Sequence, residues 1–243
     1  MSRRARLVVF LVGAAGVAVL YLLAVLHAPA FGTTTHPMRD DAVRAALAHA
    51  TANVVSTVNY DARALDTFGE ETLLLGSVVG AAALLRPTAR ERETRDAHEA
   101  GDVLEPVQLA GYVMLPVTLL LGADVVLHGQ LTPGGGFQGG VVLGTGIHLV
   151  YLTGRYRAME RVRPLRVFVA GEAVGTAVFA ATGLAALASA GFLANVLPTG
   201  TFGTMLSGGT VPLLNAAVGV EVASGVIVLL AGFLDQLHRM EAA

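Results

Sequence analysis

Apolar residues gather in runs of membrane-spanning length along most of the chain. A bilayer span needs about 20 predominantly apolar residues. Four runs approach or exceed that length, at 7–26, 109–127, 167–197 and 211–234, and two shorter runs lie at 72–85 and 141–154. The pattern predicts an all-α integral membrane protein in which four spans follow from length alone and two need further support.

The arginines supply that support. Positive residues are enriched in cytoplasmic loops. With a cytoplasmic N-terminus and six spans, thirteen of the 16 positive residues, all of them arginine, lie in cytoplasmic segments, and only Arg39, Arg44 and Arg63 lie outside. Removing either short span would move an arginine-rich loop across the membrane. We therefore expect about six transmembrane helices with both termini in the cytoplasm.

Three segments organise the chain. Residues 1–86 predict a module of two spans joined by an outer segment, whose part 40–60 has helical periodicity and is expected on the outer surface. Residues 87–106 read as a charged cytoplasmic linker, and residues 107–243 as a four-span domain. The run 7–26 behind three arginines also fits a signal peptide, but it exceeds the usual apolar length, so a retained helix is expected.

Composition narrows the chemistry. Hydrophobic residues make up 54% of the chain and charged residues 14%. The absence of cysteine excludes disulfides, thiol nucleophiles and iron–sulfur ligation, and the absence of lysine excludes a lysine-based proton relay. The net charge of −2 gives no reason to expect nucleic-acid binding. Ser207 and His148 make at most a weak intramembrane hydrolase, because the serine falls in a loop and the histidine within a span. No cofactor and no metal site are expected.

A glycine-rich loop joins the third and fourth spans on the outer side. The stretch reads LHGQLTPGGGFQGG, and its structural core comprises Pro133, Gly134, Gly135, Gly136, Phe137 and Gln138. Irregular backbone at membrane depth survives only where protein or a water-filled cavity covers it. Two interpretations remain equal here. One is a packed re-entrant loop whose carbonyls, His128 and Gln138 contact an ion path, and the other is a tight outer turn without a ligand.

Two glutamates fall inside spans. Glu221 lies ten residues into the last run, about 15 Å along a helix and close to mid-membrane. An ionisable residue at that depth is expected to be protonated, paired or hydrated, and functional by default. Glu172 lies between Gly171 and Gly175, a spacing typical of close helix packing. Gly76 and Gly80 repeat that spacing in the second span. A purely structural hydrogen bond from a protonated Glu221 is the alternative.

Further polar residues complete the set of ion-path candidates. Asp124 and His128 stand one helical turn apart at the outer end of the third span and can pair. The full set, in which His148 and Asn215 lie within spans and two acidic residues precede the second span, is Glu221, Asp124, His128, Glu172, Asp66, Glu70, His148 and Asn215. For the acidic residues, stabilisation of a helix N-terminus is the simpler explanation.

The glycine loop and the apolar VVLGTGIHLVYL that follows it resemble the MnhB/MrpB family, small membrane subunits of Mrp-type multisubunit Na⁺/H⁺ antiporters. The segment SGGTVPLLNAAVG at 207–219 resembles the last helix of that family. Residues 53–70, with YDAR and DTFGE, resemble the small E-type module found beside or fused to MnhB. The same modules occur in membrane-bound energy-converting hydrogenases.

The resemblance implies a multi-protein assembly in a prokaryotic plasma membrane that exchanges Na⁺ for H⁺. The expected partners are other antiporter subunits, the lipid bilayer, Na⁺ and H⁺. The chain would contribute to the ion path, to assembly, or to both. Two alternatives stay open, namely the equivalent subunit of a redox-driven pump and a purely structural membrane subunit.

Overall fold

A computed structural model describes residues 2–28, 32, 34–85, 104–162 and 165–241. Every regular element in those residues is helical, which confirms the all-α prediction. The chain divides into two compact units, Met1–Arg39 and Asp40–Ala243. The charged linker expected at 87–106 falls mostly outside the described residues, and the boundary proposed there stays a prediction.

The first unit contains one long helix, α1 (Arg3–Leu26). The hydroxyl of Ser2 caps it by accepting a hydrogen bond from the Ala5 backbone N–H at 3.2 Å. None of its 24 residues is buried, and its length corresponds to about 36 Å. An apolar helix exposed on all sides suits a lipid environment.

The second unit opens with short helices. The segment 40–60, expected to be helical, forms α2 (Pro37–Ala48), α3 (Val54–Thr57) and a π-helical turn (Val58–Ala62). Residues 49–53 break the helix between α2 and α3, where Ala50 adopts a positive φ of 55°. The side chain of Asn53 then caps α3 by accepting from the Val55 N–H at 3.0 Å.

Five longer helices follow: α4 (Ala64–Leu84), α5 (Glu105–Leu127), α6 (Gly136–Val162), α7 (Leu165–Ala186) and α8 (Val211–Glu241). The two short predicted spans lie within α4 and α6. The run expected at 167–197 ends as a helix at Ala186, because irregular turns occupy residues 187–210. Four described helices are long and apolar enough to cross a bilayer: α1, α5, α7 and the part Val211–Leu234 of α8.

Helix α8 occupies the centre of the second unit. It packs against α4, α5, α6 and α7. Its apolar window is 61% buried, against 22% for α7 and 17% for α5. Side chains at Val211, Leu214, Val218 and Val222 form the core with Tyr60 and Phe179. Burial of this apolar surface is the main force that holds the bundle together.

An aromatic group joins α4 to α7 in that core. Phe68 stacks on Phe179 with ring centroids 5.7 Å apart and meets the edge of Phe192 at 5.8 Å. Offset and edge-to-face contacts of this kind add about 0.5–1.5 kcal/mol to the burial of the rings. These contacts fix α4, and with it the side chains on its inner face, against α7.

Three irregular segments meet at one end of the bundle, which we call the loop end: residues 49–63, 128–135 and 187–210. The Asn53 side-chain amide donates to the carbonyls of Gly129 at 2.7 Å and Thr132 at 2.8 Å. Ser56 also donates to Gly129, at 2.5 Å. The glycine loop is therefore packed beneath residues 51–57, and these two carbonyls are already used by protein donors.

Candidate functional site

Three buried glutamates from three helices face one another inside the bundle. They are Glu71 on α4, Glu172 on α7 and Glu221 on α8, and their relative exposures are 0%, 2% and 0%. We call them the carboxyl cluster. Measured along the helices from the loop end, they lie about 10, 21 and 15 Å deep, so they descend as a staircase.

The helices bring these side chains together through glycine. A β-carbon on Gly175 of α7 would stand 2.6 Å from Cβ of Glu221 and 2.6 Å from the carbonyl oxygen of Ala217. A β-carbon on Gly225 of α8 would stand 3.3 Å from Oε1 of Glu172. Because only glycine leaves this space, α7 and α8 approach closely at the level of the two carboxyls. The packing predicted for the Gly171–Gly175 pair is confirmed.

Within the described chain, the second glycine pair gives the opposite result. No atom lies within 4 Å of a β-carbon built on Gly76 or Gly80. The helix packing expected at this pair was wrong for the described contacts, because these glycines lie on the face of α4 away from α7 and α8.

The carboxyl cluster lacks the partners that normally stabilise buried charge. Among the described residues, no donor makes a hydrogen bond of good geometry to either carboxyl oxygen of Glu71 or Glu221, or to Oε1 of Glu172. None of the ion pairs seen in this part of the chain includes these glutamates. Two ionised carboxylates at close range in a low dielectric would repel strongly. The cluster therefore must hold protons, water or a cation.

Glu71 and Glu221 are the closest pair. Their carboxyls lie within hydrogen-bonding range of each other, so one proton can be shared between them. Glu172 lies close enough to Glu221 to interact with its charge. The hydroxyl of Thr176 lies near Glu221 and donates to the carbonyl of Glu172 at 3.2 Å.

The geometry is that of a relay. Within the described residues, no group of three or more His, Asp or Glu side chains converges as ligands for one metal ion. A staircase of protonatable groups can pass a proton from one carboxyl to the next, since each group accepts and releases it in turn. Intramembrane carboxylates arranged in chains mark proton and ion paths in membrane proteins.

The other predicted residues lie apart from the cluster. Asp124 and His128 form the expected i, i+4 pair at 2.8 Å on the surface. Asp66 pairs with Arg63, and both Asp66 and Glu70 are exposed. His148 is half-buried on α6, with Nδ1 at 2.8 Å from the carbonyl of Gly144. An ion-path role for these residues stays a prediction.

Asn215 and the glycine loop form a second buried arrangement. Oδ1 of Asn215 accepts a hydrogen bond from the N–H of Gly136 at 2.9 Å, which joins the start of α6 to α8. Gly134 and Gly135 have φ values of 158° and 133°, and a β-carbon on Gly136 would stand 2.6 Å from the carbonyl oxygen of Asn215. The three glycines serve the turn and this contact. Pro133 and Gln138 are exposed, and Phe137 packs against the core.

Sequence reasoning missed Glu71 as a site residue. It lies in the acidic stretch before the second span, where only Asp66 and Glu70 were selected. The signal was present in the spacing of the small and apolar positions of α4. Ala64, Thr67, Glu71 and Val78 are the buried residues of this helix, and they recur on one helical face.

Tyr60 connects the loop end to the cluster. It is 2% exposed, packs on Phe179 and lies beside the backbone of Gly136. Burial raises the pKa of the Tyr60 phenol, and the neighbouring charge of Glu71 raises it further. The phenol therefore stays neutral and keeps its proton available for hydrogen bonding.

The sequence is similar to a known domain and to proteins from two prokaryotes. The family model described as a domain related to the MnhB subunit of Na⁺/H⁺ antiporter matches residues 106–228. The chain is 30% identical over 198 residues to a probable K⁺/H⁺ antiporter protein of Rhizobium meliloti that combines the A and B subunits, covering 72% of this chain and 20% of that protein. It is 28% identical over 197 residues to an uncharacterized protein of Methanocaldococcus jannaschii, covering 71% and 73%. The chain thus spans about a fifth of the first relative.

Two solved structures share the fold. One is the membrane-bound sulfane sulfur reductase, an archaeal respiratory membrane complex, with a TM-score of 0.72, 26% identity and coverage of 95% of this chain and 98% of that chain. The other is the Mrp complex from Dietzia sp. DQ12-45-1b, with a TM-score of 0.68, 24% identity and coverage of 96% and 26%. Because the family match covers half of the sequence, the chain belongs to the family of domains related to the MnhB subunit of Na⁺/H⁺ antiporters.

Proposed function

We propose that the chain is a multi-pass subunit of a cation/proton antiporter complex in a prokaryotic plasma membrane. Membership of the MnhB family and the likeness to an antiporter protein of Rhizobium meliloti support this assignment. Six spans with both termini in the cytoplasm agree best with the arginine distribution. The partners are the other membrane subunits of the antiporter, and the transported ions are H⁺ and an alkali cation.

One observation carries the role of this subunit, namely the unpaired carboxyl cluster at membrane depth. Burying an ionisable group without a partner costs several kcal/mol. A purely structural subunit would gain stability by replacing these side chains with apolar ones. Three such groups on neighbouring helices therefore favour a working ion path over a scaffold.

The chemistry follows from the shared proton. When the Glu71–Glu221 pair holds one proton, its net charge is −1. Release of that proton to Glu172 or to water leaves oxygen ligands that suit an alkali cation. Entry of the cation restores the charge balance, so one site alternates between the two ions. In antiport this competition for the same carboxylates links the two fluxes.

Replacement of Glu221 by glutamine tests this role. The whole complex carrying Glu221→Gln should assemble normally but lose cation-dependent proton exchange, measured by fluorescence dequenching in everted membrane vesicles. Glu105→Gln is the matched control, because Glu105 is exposed in the first turn of α5. Transport by the Glu221→Gln complex at the rate of the Glu105→Gln complex would remove Glu221 from the path.

A role in a redox-driven complex is the second candidate. Its support is the match to the sulfane sulfur reductase complex, which covers 98% of the matched chain. Purification of the tagged chain from its native membrane in a mild detergent, followed by mass spectrometry of its partners, separates the two. Antiporter-like membrane subunits without redox proteins support the antiporter, and co-purified iron–sulfur proteins support the redox complex.

A further inference from the structure

Four buried oxygen atoms gather at the loop end with no hydrogen-bond partner among the described residues. They are the hydroxyl oxygens of Thr51, Ser207 and Thr210 and the amide oxygen of Gln130. Each of these residues is at most 1% exposed. We call this group the polar pocket. Unpaired buried polar groups are rare in native proteins, so each one requires an explanation.

Gly208 forms the centre of the polar pocket. A β-carbon on Gly208, whose φ is +99°, would stand 3.0 Å from Oγ1 of Thr51 and 3.7 Å from Cβ of Gln130. Ser207 and Thr210 flank Gly208 along the chain. The amide nitrogen of Gln130 donates to the carbonyl of Met205 at 2.5 Å, which leaves its oxygen as the unused atom. Three separate segments of the loop end therefore contribute oxygens to one small region.

Water fits this set of atoms better than a bare cation does. Each hydroxyl has a hydrogen to donate as well as lone pairs that accept, and the amide oxygen only accepts. A water molecule donates to the oxygens and accepts from the hydroxyls. A cation would bind the oxygens and leave the hydroxyl hydrogens unpaired. Buried water commonly joins polar groups that otherwise lack partners.

Unpaired polar atoms continue from the pocket toward the carboxyl cluster. Nδ2 of Asn215 and Oγ1 of Thr57 are fully buried and have no partner among the described residues. Along α8, Asn215 lies about 7.5 Å beyond Thr210, and Glu221 lies about 9 Å beyond Asn215. At about 2.8 Å per hydrogen bond, two or three waters bridge each interval.

We propose that the polar pocket holds ordered water and is the loop-end mouth of a hydrated path that runs along α8, past Asn215, to Glu71 and Glu221. The inference rests on the proposed function, because it names how the carboxyl cluster exchanges ions with the loop-end side. Protons then reach the shared proton of Glu71 and Glu221 through hydrogen-bonded water, with no large movement of the packed helices.

Cysteine labelling tests the path directly, since the chain contains no cysteine of its own. Ser207→Cys, Thr210→Cys and Asn215→Cys place a thiol in the proposed path, and Val218→Cys and Val222→Cys place one in the dry core of the same helix. The assembled complexes are treated with 2-aminoethyl methanethiosulfonate, and labelling of this chain is measured by mass spectrometry. A thiol reacts as the thiolate, which forms in water and not in apolar surroundings.

We expect the three path cysteines to be labelled at least about tenfold faster than the two core cysteines, in line with the thiolate fraction that hydration allows. Equal rates at Thr210→Cys and Val218→Cys would overturn the proposal. Protection of Thr210→Cys by Na⁺ or K⁺, but not by choline, would assign a bound cation to the pocket and also overturn it.

The sign of a stability change gives a second, independent test. Thr210→Val removes the hydroxyl at nearly constant volume, and Thr210→Ser retains it. If water satisfies the hydroxyl, valine lowers the melting temperature of the purified complex and serine lowers it less. A rise with valine would mean a dry, unpaired hydroxyl and would overturn the proposal. Neither measurement depends on transport, so normal exchange by Glu221→Gln would refute the proposed function alone.

Discussion

The asparagines of the loop end and the glutamates of the carboxyl cluster are both held inside the bundle, but their hydrogen bonding differs completely. Asn195 donates to the carbonyl of Gly208 at 3.0 Å and to Asp61 at 3.3 Å, and its oxygen accepts from the N–H of Thr210 at 2.8 Å. Asn53 likewise uses its oxygen and its amide nitrogen. The carboxyls of Glu71 and Glu221 have no protein donor in the described chain.

This contrast separates residues that hold the fold from residues that serve the ion path. A fully paired buried amide contributes to stability and fixes one arrangement of the loops. An unpaired buried carboxyl lowers stability, so another requirement must explain its presence. Substitutions at the two places should therefore differ in kind, and the largest loss of stability is expected where paired amides are removed from the loop end.

Asn53→Ala should give the largest loss. It removes the cap of α3, worth about 0.5–2 kcal/mol, and one donor to each of two loop carbonyls, worth about 1 kcal/mol apiece. We expect a total of about 2–4 kcal/mol, measured as a lower melting temperature of the purified complex. Asn53→Asp retains the capping oxygen and should lose less. Equal losses for both substitutions would mean that the amide donors contribute nothing.

Gly175→Ala should have the next largest effect. The added methyl group meets the Ala217 carbonyl and Cβ of Glu221 at 2.6 Å, so α7 must shift, at a cost of about 1–3 kcal/mol. Gly76→Ala is the matched control, because nothing lies within 4 Å of its β-carbon. Alanine there should stabilise α4 by about 0.5–1 kcal/mol. A similar loss at both positions, in thermal melting, would indicate that a partner protein packs on Gly76.

Asp124→Asn should change stability by less than about 1 kcal/mol. The pair with His128 lies at the surface, with side-chain exposures of 63% for Asp124 and 35% for His128, and exposed ion pairs contribute little. Melting curves of the complex at low and high salt measure this contribution. A larger loss at both salt concentrations would show that the pair is buried in the assembled complex.

The sequence predicted the fold more fully than the site. Glu221 was identified because it interrupts a long apolar run, where a charge is conspicuous. Glu172 was identified with its glycine pair, but its depth depended on where the run 167–197 begins and ends, and no residue type marks the end at Ala186. Glu71 was passed over because its neighbours Asp66 and Glu70 are also acidic. One residue corresponds to a rotation of about 100° around the helix, and only packing decides which acidic residue faces inward.

The neighbouring glutamates of α4 therefore provide the sharpest test of the comparison. Glu71→Gln should leave the melting temperature unchanged or raise it, because a neutral amide relieves the repulsion within the pair and donates to Glu221. The same substitution should lower cation-dependent proton exchange at least about tenfold, a barrier of about 1.4 kcal/mol, since an amide cannot carry the shared proton. Glu70→Gln, one residue earlier and exposed, should change exchange less than Glu71→Gln. The reverse order in vesicle assays would favour the acidic residues chosen from the sequence, and burial without a partner would then no longer identify the ion path.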